Sequence, residues 1–390
     1  MAPATDSPPS LSTLPAELLH DIIQLTETPD LVSLCQTTRS LQAAATWSLY
    51  RKIRLSDASK AVRCFQTIIA RPEAALAVRH MELRFPRTDF LSSFFKLAAA
   101  AIRCTTLVDH LDLSRAGPVL KYLDEVPLKH LKRCVMPYSP DMFFFLDRHK
   151  HITWLAMEPD RFSVRAARQG VRVPQIHLSE LSSLVTLSSM VQLLGPLPAL
   201  KEADIYWEIE GNAGTIVPLL AASTTLRRLS CMTSVTNLGL IAALATHLPH
   251  VAELRFRLDS PYPAYKDEIN AFLDTLERYL PSFHSLTHIQ VKLPVEELRA
   301  ESAFSFEEVE EEFETAIRWG KLCPKLETCR LITGVCWGRT VTGDYWLPPA
   351  RSNKAERMAW ALAVRKYSSM DADDLFALQI CPPAATTRPN

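Results

Sequence analysis

The stretches LRRLSC at residues 226–231 and VAELRF at residues 251–256 share one pattern. An apolar residue is followed by two free positions, a second apolar residue, one free position and a third apolar residue. The last two apolar positions alternate with a polar one, as a strand with one buried face requires. The pattern therefore predicts a half-buried strand in each stretch.

The same six-residue core recurs along most of the chain, at intervals of 21 to 40 residues. Its copies are Tyr50-Ile53-Leu55, Val78-Met81-Leu83, Val108-Leu111-Leu113, Leu131-Cys134-Met136, Ile152-Leu155-Met157, Val173-Ile176-Leu178, Leu200-Ala203-Ile205, Leu226-Leu229-Cys231, Val251-Leu254-Phe256, Leu286-Ile289-Val291 and Leu326-Cys329-Leu331. Segments with helical periodicity lie between copies, at residues 90–103, 215–223, 238–248, 267–280 and 306–322. A strand and a helix repeated every 20 to 29 residues or so is the signature of leucine-rich repeats.

The predicted fold class is therefore α/β, with an irregular leucine-rich-repeat solenoid over residues 51–332. Its strands should be parallel, with the helices on the convex side. The consensus Asn after the third apolar position is missing throughout, which makes the repeats irregular. After Leu331 the pattern ends, and residues 333–350 are rich in Trp and turn-forming residues. Residues 333–390 are expected to form a C-terminal cap, with one helix at 353–368, and a loose tail.

The first fifty residues have a different organisation. Residues 1–11 are rich in Ser, Pro and Thr and are expected to form a disordered leader. Residues 12–50 are expected to form a module of three short helices, the second running from Asp30, as its N-cap, through Thr38 and Leu41. In the first helix Leu18, Ile22 and Leu25 share one face. So small a bundle cannot bury all of its apolar faces by itself, so we expect it to dock on something.

This N-terminal segment resembles the F-box, in a variant common among fungal F-box proteins. The residues that carry the resemblance are Leu14-Pro15-x-Glu17-Leu18, Ile22, Asp30-Leu31, Leu34, Arg39-x-Leu41 and Leu49-Tyr50-Arg51-x-Ile53. The Trp that many F-boxes carry near the end of the second helix is absent. The tail, with CPKLETCRLI, GVCW and GDYWLPPAR, is similar to the end of basidiomycete F-box proteins with degenerate leucine-rich repeats.

The resemblance implies a short three-helix F-box and a substrate receptor of an SCF-type cullin–RING ubiquitin ligase. In that family the F-box binds an SKP-type adaptor, which is attached to the cullin, and the repeats bind a protein substrate. No cofactor is implied. The residues expected to contact the adaptor are Leu14, Pro15, Leu18, Ile22, Leu31 and Leu34. For each of them the alternative is that it fills the core of the bundle itself.

The substrate surface is expected on the concave face of the repeats, where residues flanking the third apolar position point away from the core. In the C-terminal half this face is basic, with Arg255, Arg257, Lys292 and Arg330, and it also carries Tyr206. Such a cluster suits an acidic or phosphorylated segment of a substrate, because guanidinium groups match carboxylate and phosphate geometry. The alternative is an ordinary solvated charged face.

Composition excludes several other classes. The 43 basic and 43 acidic residues balance, which argues against a nucleic-acid partner, since that affinity is built from excess positive charge. Only 10 glycines are present and no phosphate-binding Gly motif occurs, so a nucleotide cofactor is not expected. The nine cysteines are dispersed without metal-ligand spacing, and His284 and His288 lack the other features of a zinc pair. We expect no metal and no membrane partner, and a cytoplasmic or nuclear location.

Three hypotheses follow from the sequence. The first is a non-enzymatic receptor that delivers a substrate to a ubiquitin ligase. The second is a repeat scaffold whose F-box-like bundle is only a structural cap. The third is an enzyme with its site in residues 333–390, but no nucleophile elbow or carboxylate pair stands out there, so the protein is expected not to be an enzyme.

Overall fold

A computed structural model describes residues 14–85, 90–123, 127–158, 176–208, 213–258, 266–293, 305–340, 345–348 and 354–367. The chain divides into two compact units, the first ending at Leu181 and the second beginning at Ser182. This division lies inside the predicted repeat region and coincides with neither of the predicted boundaries at 50/51 and 332/333. Each unit is described by itself.

The first unit begins with three short helices and continues with alternating strands and helices. The helices are α1 (Ala16–Leu25), α2 (Thr28–Leu34), α3 (Arg39–Arg51), α4 (Ala58–Ala70), α5 (Pro72–Ala77), α6 (Ser92–Cys104) and α7 (Pro140–Arg148). The strands are β1 (Lys52–Leu55), β2 (His80–Leu83), β3 (His110–Asp112), β4 (Arg133–Pro137) and β5 (Trp154–Glu158). A 3-10 helix at Gly117–Tyr122 takes the place of an α-helix between β3 and β4.

The second unit repeats the same alternation and ends in a different arrangement. Its helices are α8 (Ser188–Val191), α9 (Ala213–Ala221), α10 (Leu238–His247), α11 (Lys266–Tyr279), α12 (Phe306–Leu322) and α13 (Lys354–Lys366). Its strands are β6 (Ser183–Leu187), β7 (Glu202–Tyr206), β8 (Arg228–Thr233), β9 (Glu253–Leu258), β10 (His288–Lys292), β11 (Thr328–Arg330), β12 (Cys336–Arg339) and β13 (Trp346–Leu347).

Strand register agrees with the predicted order and direction of the strands. In the first unit β1 to β5 are parallel and follow one another in chain order, and the middle apolar residues of the five cores align with each other. In the second unit β6 to β11 are likewise parallel, and the middle apolar residues from Ala203 to Cys329 are paired from strand to strand. The predicted α/β class with parallel strands is therefore confirmed.

Within residues 51–332, one predicted strand is wrong and the structure has one strand, β6, that the pattern does not predict. Residues 176–178 of the core Val173-Ile176-Leu178 are not in a strand, and Val173 lies outside the described residues. The strand of this repeat is β6, where Leu181 and Leu184 occupy the first two apolar positions and Thr186 the third. Thr186 is completely buried although its side chain is polar, so this strand lacks the third apolar residue of the pattern.

In the second unit burial alternates along the strands and defines one covered sheet face, whereas β2 to β5 of the first unit have two or three consecutive buried residues. In β7 to β10 every second residue is buried, and the residues between them remain partly exposed. Helices connect the strands, and neighbouring helices contact each other, as α4 does with α6 and α10 does with both α9 and α11. The helices therefore cover one face, whose side chains form the core. The other face is called the open face below.

The three N-terminal helices lie close to the predicted positions, but the second is shorter. It ends at Leu34, so Thr38 and Leu41 do not belong to it. Thr38 is instead the N-cap of α3, where its hydroxyl accepts a hydrogen bond from the backbone N–H of Leu41. Asp30 is also not an N-cap, because it lies inside the first turn of α2. A carboxylate is favourable there because of the helix dipole.

In the C-terminal part of the second unit the strand pairing changes from parallel to antiparallel. After β11 the chain turns through Gly334, whose φ of 80° is in the region that favours glycine, and β12 then pairs antiparallel with β11. Strand β13 pairs antiparallel with β12, and α13 packs against α12 and β13. The predicted helix at 353–368 corresponds to α13. Trp337, Trp346 and Trp360 are buried in this segment, as expected for an aromatic cover.

A run of glutamates at residues 307–314 of α12 would by default be a solvated helix face, but several of its members have partners. Glu308 forms a capping box with Ser305 at the start of α12. Glu312 is buried and accepts hydrogen bonds from the backbone N–H and the hydroxyl of Thr333. Other glutamates of the run pair with α13, through Glu310 to Arg365 and Glu314 to Lys366. Several glutamates of this run therefore contact the C-terminal segment.

Candidate functional site

The N-terminal bundle has a small core of its own. Ile23, Leu31 and Ala45 are buried together, and the partly buried residues packed against them are Leu19, Leu34, Cys35, Ala44 and Leu49. Leu31 is only 6% exposed, so of the two alternatives the structure places it in the core. Leu34 is likewise taken up in packing. Two of the six residues predicted to contact an adaptor therefore serve mainly the bundle itself.

A different set of apolar residues remains on the surface of α1. Leu18, Ile22 and Leu25 are 51%, 42% and 88% exposed and recur at intervals of four and three residues, which places them on one side of the helix. We call these three residues the α1 stripe. Leu25 was not among the predicted contacts, although its helical spacing from Leu18 and Ile22 is visible in the sequence. Val32 of α2 is also exposed, at 44%.

The remaining two predicted contacts precede α1. Pro15 is exposed, and its carbonyl oxygen accepts a hydrogen bond from the backbone N–H of Leu19, 3.0 Å away, which starts the helix. Leu14 is half-buried. Pro15 therefore lies beside the first turn of the helix that carries the α1 stripe. Its ring cannot donate a hydrogen bond, but the start of a helix does not require one.

The third helix of the bundle is continuous with the first repeat. Helix α3 ends at Arg51 and β1 begins at Lys52, without a linker. The carbonyl of Arg51 accepts a hydrogen bond from the backbone N–H of Arg79, 3.0 Å away, and α3 packs against α5. Helix α3 therefore belongs both to the bundle and to the repeats.

The open face of the second unit presents side chains in rows across the strands. One row contains Tyr206, Met232, Arg257 and Lys292, which are paired in register from β7 to β10. A second row contains Asp204, Ser230, Arg255, Gln290 and Arg330. All five predicted substrate residues therefore lie on one face of the second unit. We call Tyr206, Met232, Arg257 and Lys292 the open row.

The basic residues of this face differ in how they are partnered. Arg255 forms an ion pair with Glu253 of the same strand, and Arg228 forms one with Glu202 of the neighbouring strand. Arg330 lies beside Cys336, whose pKa is raised by burial and lowered in part by this guanidinium. Arg257 is exposed and has no ion-pair partner among the described residues of the chain. The four predicted basic residues are therefore not equivalent.

The open face of the first unit carries a charge network instead. Glu82 forms ion pairs with Arg54, whose Nε lies 3.1 Å from the carboxylate, and with Arg84, whose Nε lies 2.7 Å from it. Asp112, which is almost completely buried, accepts from Arg84 Nε and Nη2 at 3.1 Å each. The hydrogen bond with Asp112 also raises the pKa of Arg84. Acidic and basic groups alternate in this network, so it has little net charge to attract a ligand.

Planar side chains form another row on the same face. The rings of His80 and His110 are stacked with centroids 4.0 Å apart, and Arg133 lies over the ring of Trp154 at 5.1 Å. Burial, followed by the charges of His80 and Arg133, lowers the pKa of His110 to about 4. His110 is therefore neutral at pH 7, which allows the two histidine rings to stack.

The described residues show neither a metal-ligand cluster nor a disulfide. No group of three His, Cys, Asp or Glu side chains in the described ranges is arranged to hold a metal ion. Eight cysteines are free thiols. Burial raises the pKa of Cys64 to about 11 and that of Cys231 to about 12, so both remain protonated at neutral pH. Among the helices of the described chain, none has the length and apolar character needed to cross a membrane.

Comparison with protein-family models and with curated proteins finds no match to this chain. Support for a function therefore comes from the motif residues of the N-terminal segment and from the two surfaces, the α1 stripe and the open row.

Proposed function

We propose that the protein is the substrate-recognition subunit of an SCF-type cullin–RING ubiquitin ligase. The α1 stripe would bind an SKP-type adaptor, and the open faces of the repeats would bind a protein substrate. The observation that carries this proposal is the α1 stripe, because it leaves three large aliphatic side chains exposed on one short helix. They lie in the segment that has the F-box motif residues.

Physical reasoning supports an adaptor on this surface. Burying a Leu or Ile side chain that was exposed contributes roughly 1.5 to 3 kcal/mol, and about half of each side chain of Leu18 and Ile22 is available for a partner. The core made by Ile23, Leu31 and Ala45 does not need the α1 stripe, since its members are already buried without it. Contiguous apolar surface of this kind is typical of protein–protein contacts.

The repeats supply the second half of the proposal. Their parallel strands display polar and charged side chains in register over several strands, which is suited to an extended contact with another protein. The proposed ligase role requires no cofactor and no catalytic residue in this chain. It implies a location in the cytoplasm or nucleus, where such ligases act, and neither nucleic acid nor membrane as a partner.

Capture on an immobilised SKP-type adaptor tests the proposal. We expect the wild-type chain to be retained and Leu18→Asp/Ile22→Asp to bind at least about 100-fold more weakly, because two carboxylates would be desolvated in the contact. Ile69→Asp/Leu76→Asp is a matched control, since these helix residues are 40% and 50% exposed against 42% and 51% for Ile22 and Leu18. The control should bind like wild type.

Two outcomes would contradict the proposal. One is unchanged adaptor binding by Leu18→Asp/Ile22→Asp, and the other is an equal loss in the control. The scaffold alternative, in which the bundle is a structural cap, is favoured by the continuity of α3 with β1. It predicts that the adaptor does not retain the folded wild-type chain. It also predicts that Leu18→Asp/Ile22→Asp binds every partner of the chain as tightly as wild type does.

A further inference from the structure

The open row combines an apolar half with a basic half. Tyr206 and Met232 occupy β7 and β8, and Arg257 and Lys292 occupy the next two strands at the same register. Because residues in register on one face stand side by side, the row is a continuous strip across four strands. It offers apolar contact at one end and positive charge at the other.

Two ion pairs on this face lie outside the open row. Glu202 and Glu253 are paired with Arg228 and Arg255, so these acids do not neutralise the open row. The guanidinium of Arg257 is exposed, and Lys292 stands beside it on the neighbouring strand. An incoming anion would therefore meet the guanidinium of Arg257 first, with the Lys292 side chain at the same register on the neighbouring strand.

We propose that the open row binds an extended acidic peptide of a partner protein. A carboxylate would contact Arg257 and Lys292, and an apolar side chain would pack against Tyr206 and Met232. A carboxylate suits a single guanidinium fork, which it can meet with two hydrogen bonds. The second arginine of β9, Arg255, is already held by Glu253. This inference rests on the proposed function, since the peptide would belong to a substrate.

Strand spacing sets the expected spacing of the peptide residues. Neighbouring strands are about 4.8 Å apart, so Tyr206 and Arg257, two strands apart, are separated by about 10 Å. An extended peptide advances about 3.3 Å per residue. The apolar and the acidic residue should therefore lie about three positions apart in the peptide.

Selection from a displayed library of random ten-residue peptides tests this inference. The full-length chain is the target, and no adaptor is present. Wild type should enrich Asp or Glu together with an aliphatic or aromatic residue about three positions away. Arg257→Glu/Lys292→Glu should lose this enrichment. The control Arg278→Glu/Lys321→Glu reverses two exposed charges on helices of the same unit and should keep the enrichment.

The best peptide is then measured by fluorescence anisotropy. We expect Arg257→Glu/Lys292→Glu, or replacement of the acidic peptide residue by its amide, to weaken binding roughly tenfold or more. Absence of acidic enrichment with wild type, or unchanged affinity in Arg257→Glu/Lys292→Glu, would overturn the inference. So would displacement of the peptide by a 20-nucleotide single-stranded DNA that binds more tightly, which would make the row a nucleic-acid site.

Adaptor capture of the same variants separates this inference from the proposed function. Arg257→Glu/Lys292→Glu should be captured like wild type, and Leu18→Asp/Ile22→Asp should bind the selected peptide like wild type. If the adaptor is not bound but the peptide is, the ligase role fails and the peptide site stands. If the adaptor is bound but the peptide is not, the proposed peptide site is wrong and the ligase role stands.

Discussion

Replacing Gly320 by alanine should destabilise the second unit, although alanine is the better helix former. Gly320 lies in α12, and a Cβ added there would be 2.6 Å from Cζ2, 2.8 Å from Nε1 and 2.9 Å from Cε2 of Trp346. The indole of Trp346 is almost fully buried in β13. A rigid ring in that position cannot turn away, so either β13 or α12 must move.

Two opposing effects set the magnitude. Alanine gains up to about 1 kcal/mol over glycine inside a helix. Overpacking a well-filled core costs about 1 to 3 kcal/mol, and the upper end applies because three ring atoms are too close. The free energy of unfolding should therefore fall by about 2 kcal/mol. Gly239 of α10 is the matched control, since a Cβ there meets nothing within 4 Å, and its alanine variant should gain between zero and about 1 kcal/mol.

Urea unfolding of the full-length chain, followed by tryptophan fluorescence, measures both effects. The expected result is a lower midpoint for Gly320→Ala and an equal or higher midpoint for Gly239→Ala. A Gly320→Ala midpoint at or above that of wild type would show that α12 does not pack against β13 as described. Adaptor binding should be unaffected in either variant, because the α1 stripe belongs to the first unit.

Two further predictions concern the buried Glu312 and the partly buried His110. Glu312→Ala removes the acceptor of the Thr333 N–H and hydroxyl and should lower the free energy of unfolding by roughly 2 to 4 kcal/mol. Glu311→Ala, at the exposed neighbouring position, should change the free energy of unfolding by less than about 0.5 kcal/mol. Equal urea midpoints for the two variants would contradict this prediction. The pKa of His110 is lowered to about 4 in the folded protein, so the unfolded chain binds a proton to this residue more readily. The contribution of neutral His110 to the free energy of unfolding should therefore be complete above about pH 6.5 and be lost as the pH falls towards 4. After allowance for solvent screening this loss is about 1 to 2 kcal/mol. The urea midpoint of His110→Gln should therefore differ less between pH 7 and pH 4.5 than the midpoint of wild type does.

Most strands could be predicted from sequence because their signal is local. A buried strand face needs apolar residues two apart, and a parallel repeat needs this pattern at a nearly constant spacing, so both conditions can be read along the chain. Strand β6 is the exception in the repeat region. Thr186 occupies a fully buried strand position in β6, and only its surroundings in the folded chain show that a threonine is accommodated there.

The adaptor surface could be predicted only in part. In a short bundle, apolar residues occur on more than one side of each helix, and spacing alone does not show which side faces the other helices. Packing of α1 and α2 on α3 decides this, and it buries Ile23 and Leu31 while Leu18 and Ile22 stay exposed. Leu25 lay on the predicted face and is the most exposed of the large apolar residues described.

The sequence by itself determined the α/β class, the parallel strands and the set of side chains on the open face, because all three follow from alternation and repeat spacing. Tertiary structure alone decided which charged side chains are paired, buried or exposed. Arg255 and Arg257 are equivalent in the sequence pattern, yet one is paired with Glu253 and the other is exposed. Glu312 belongs to a run of glutamates, yet it is buried against Thr333. Such differences arise from the three-dimensional neighbours of each group, since ion pairing and burial depend on distances that a linear pattern does not contain.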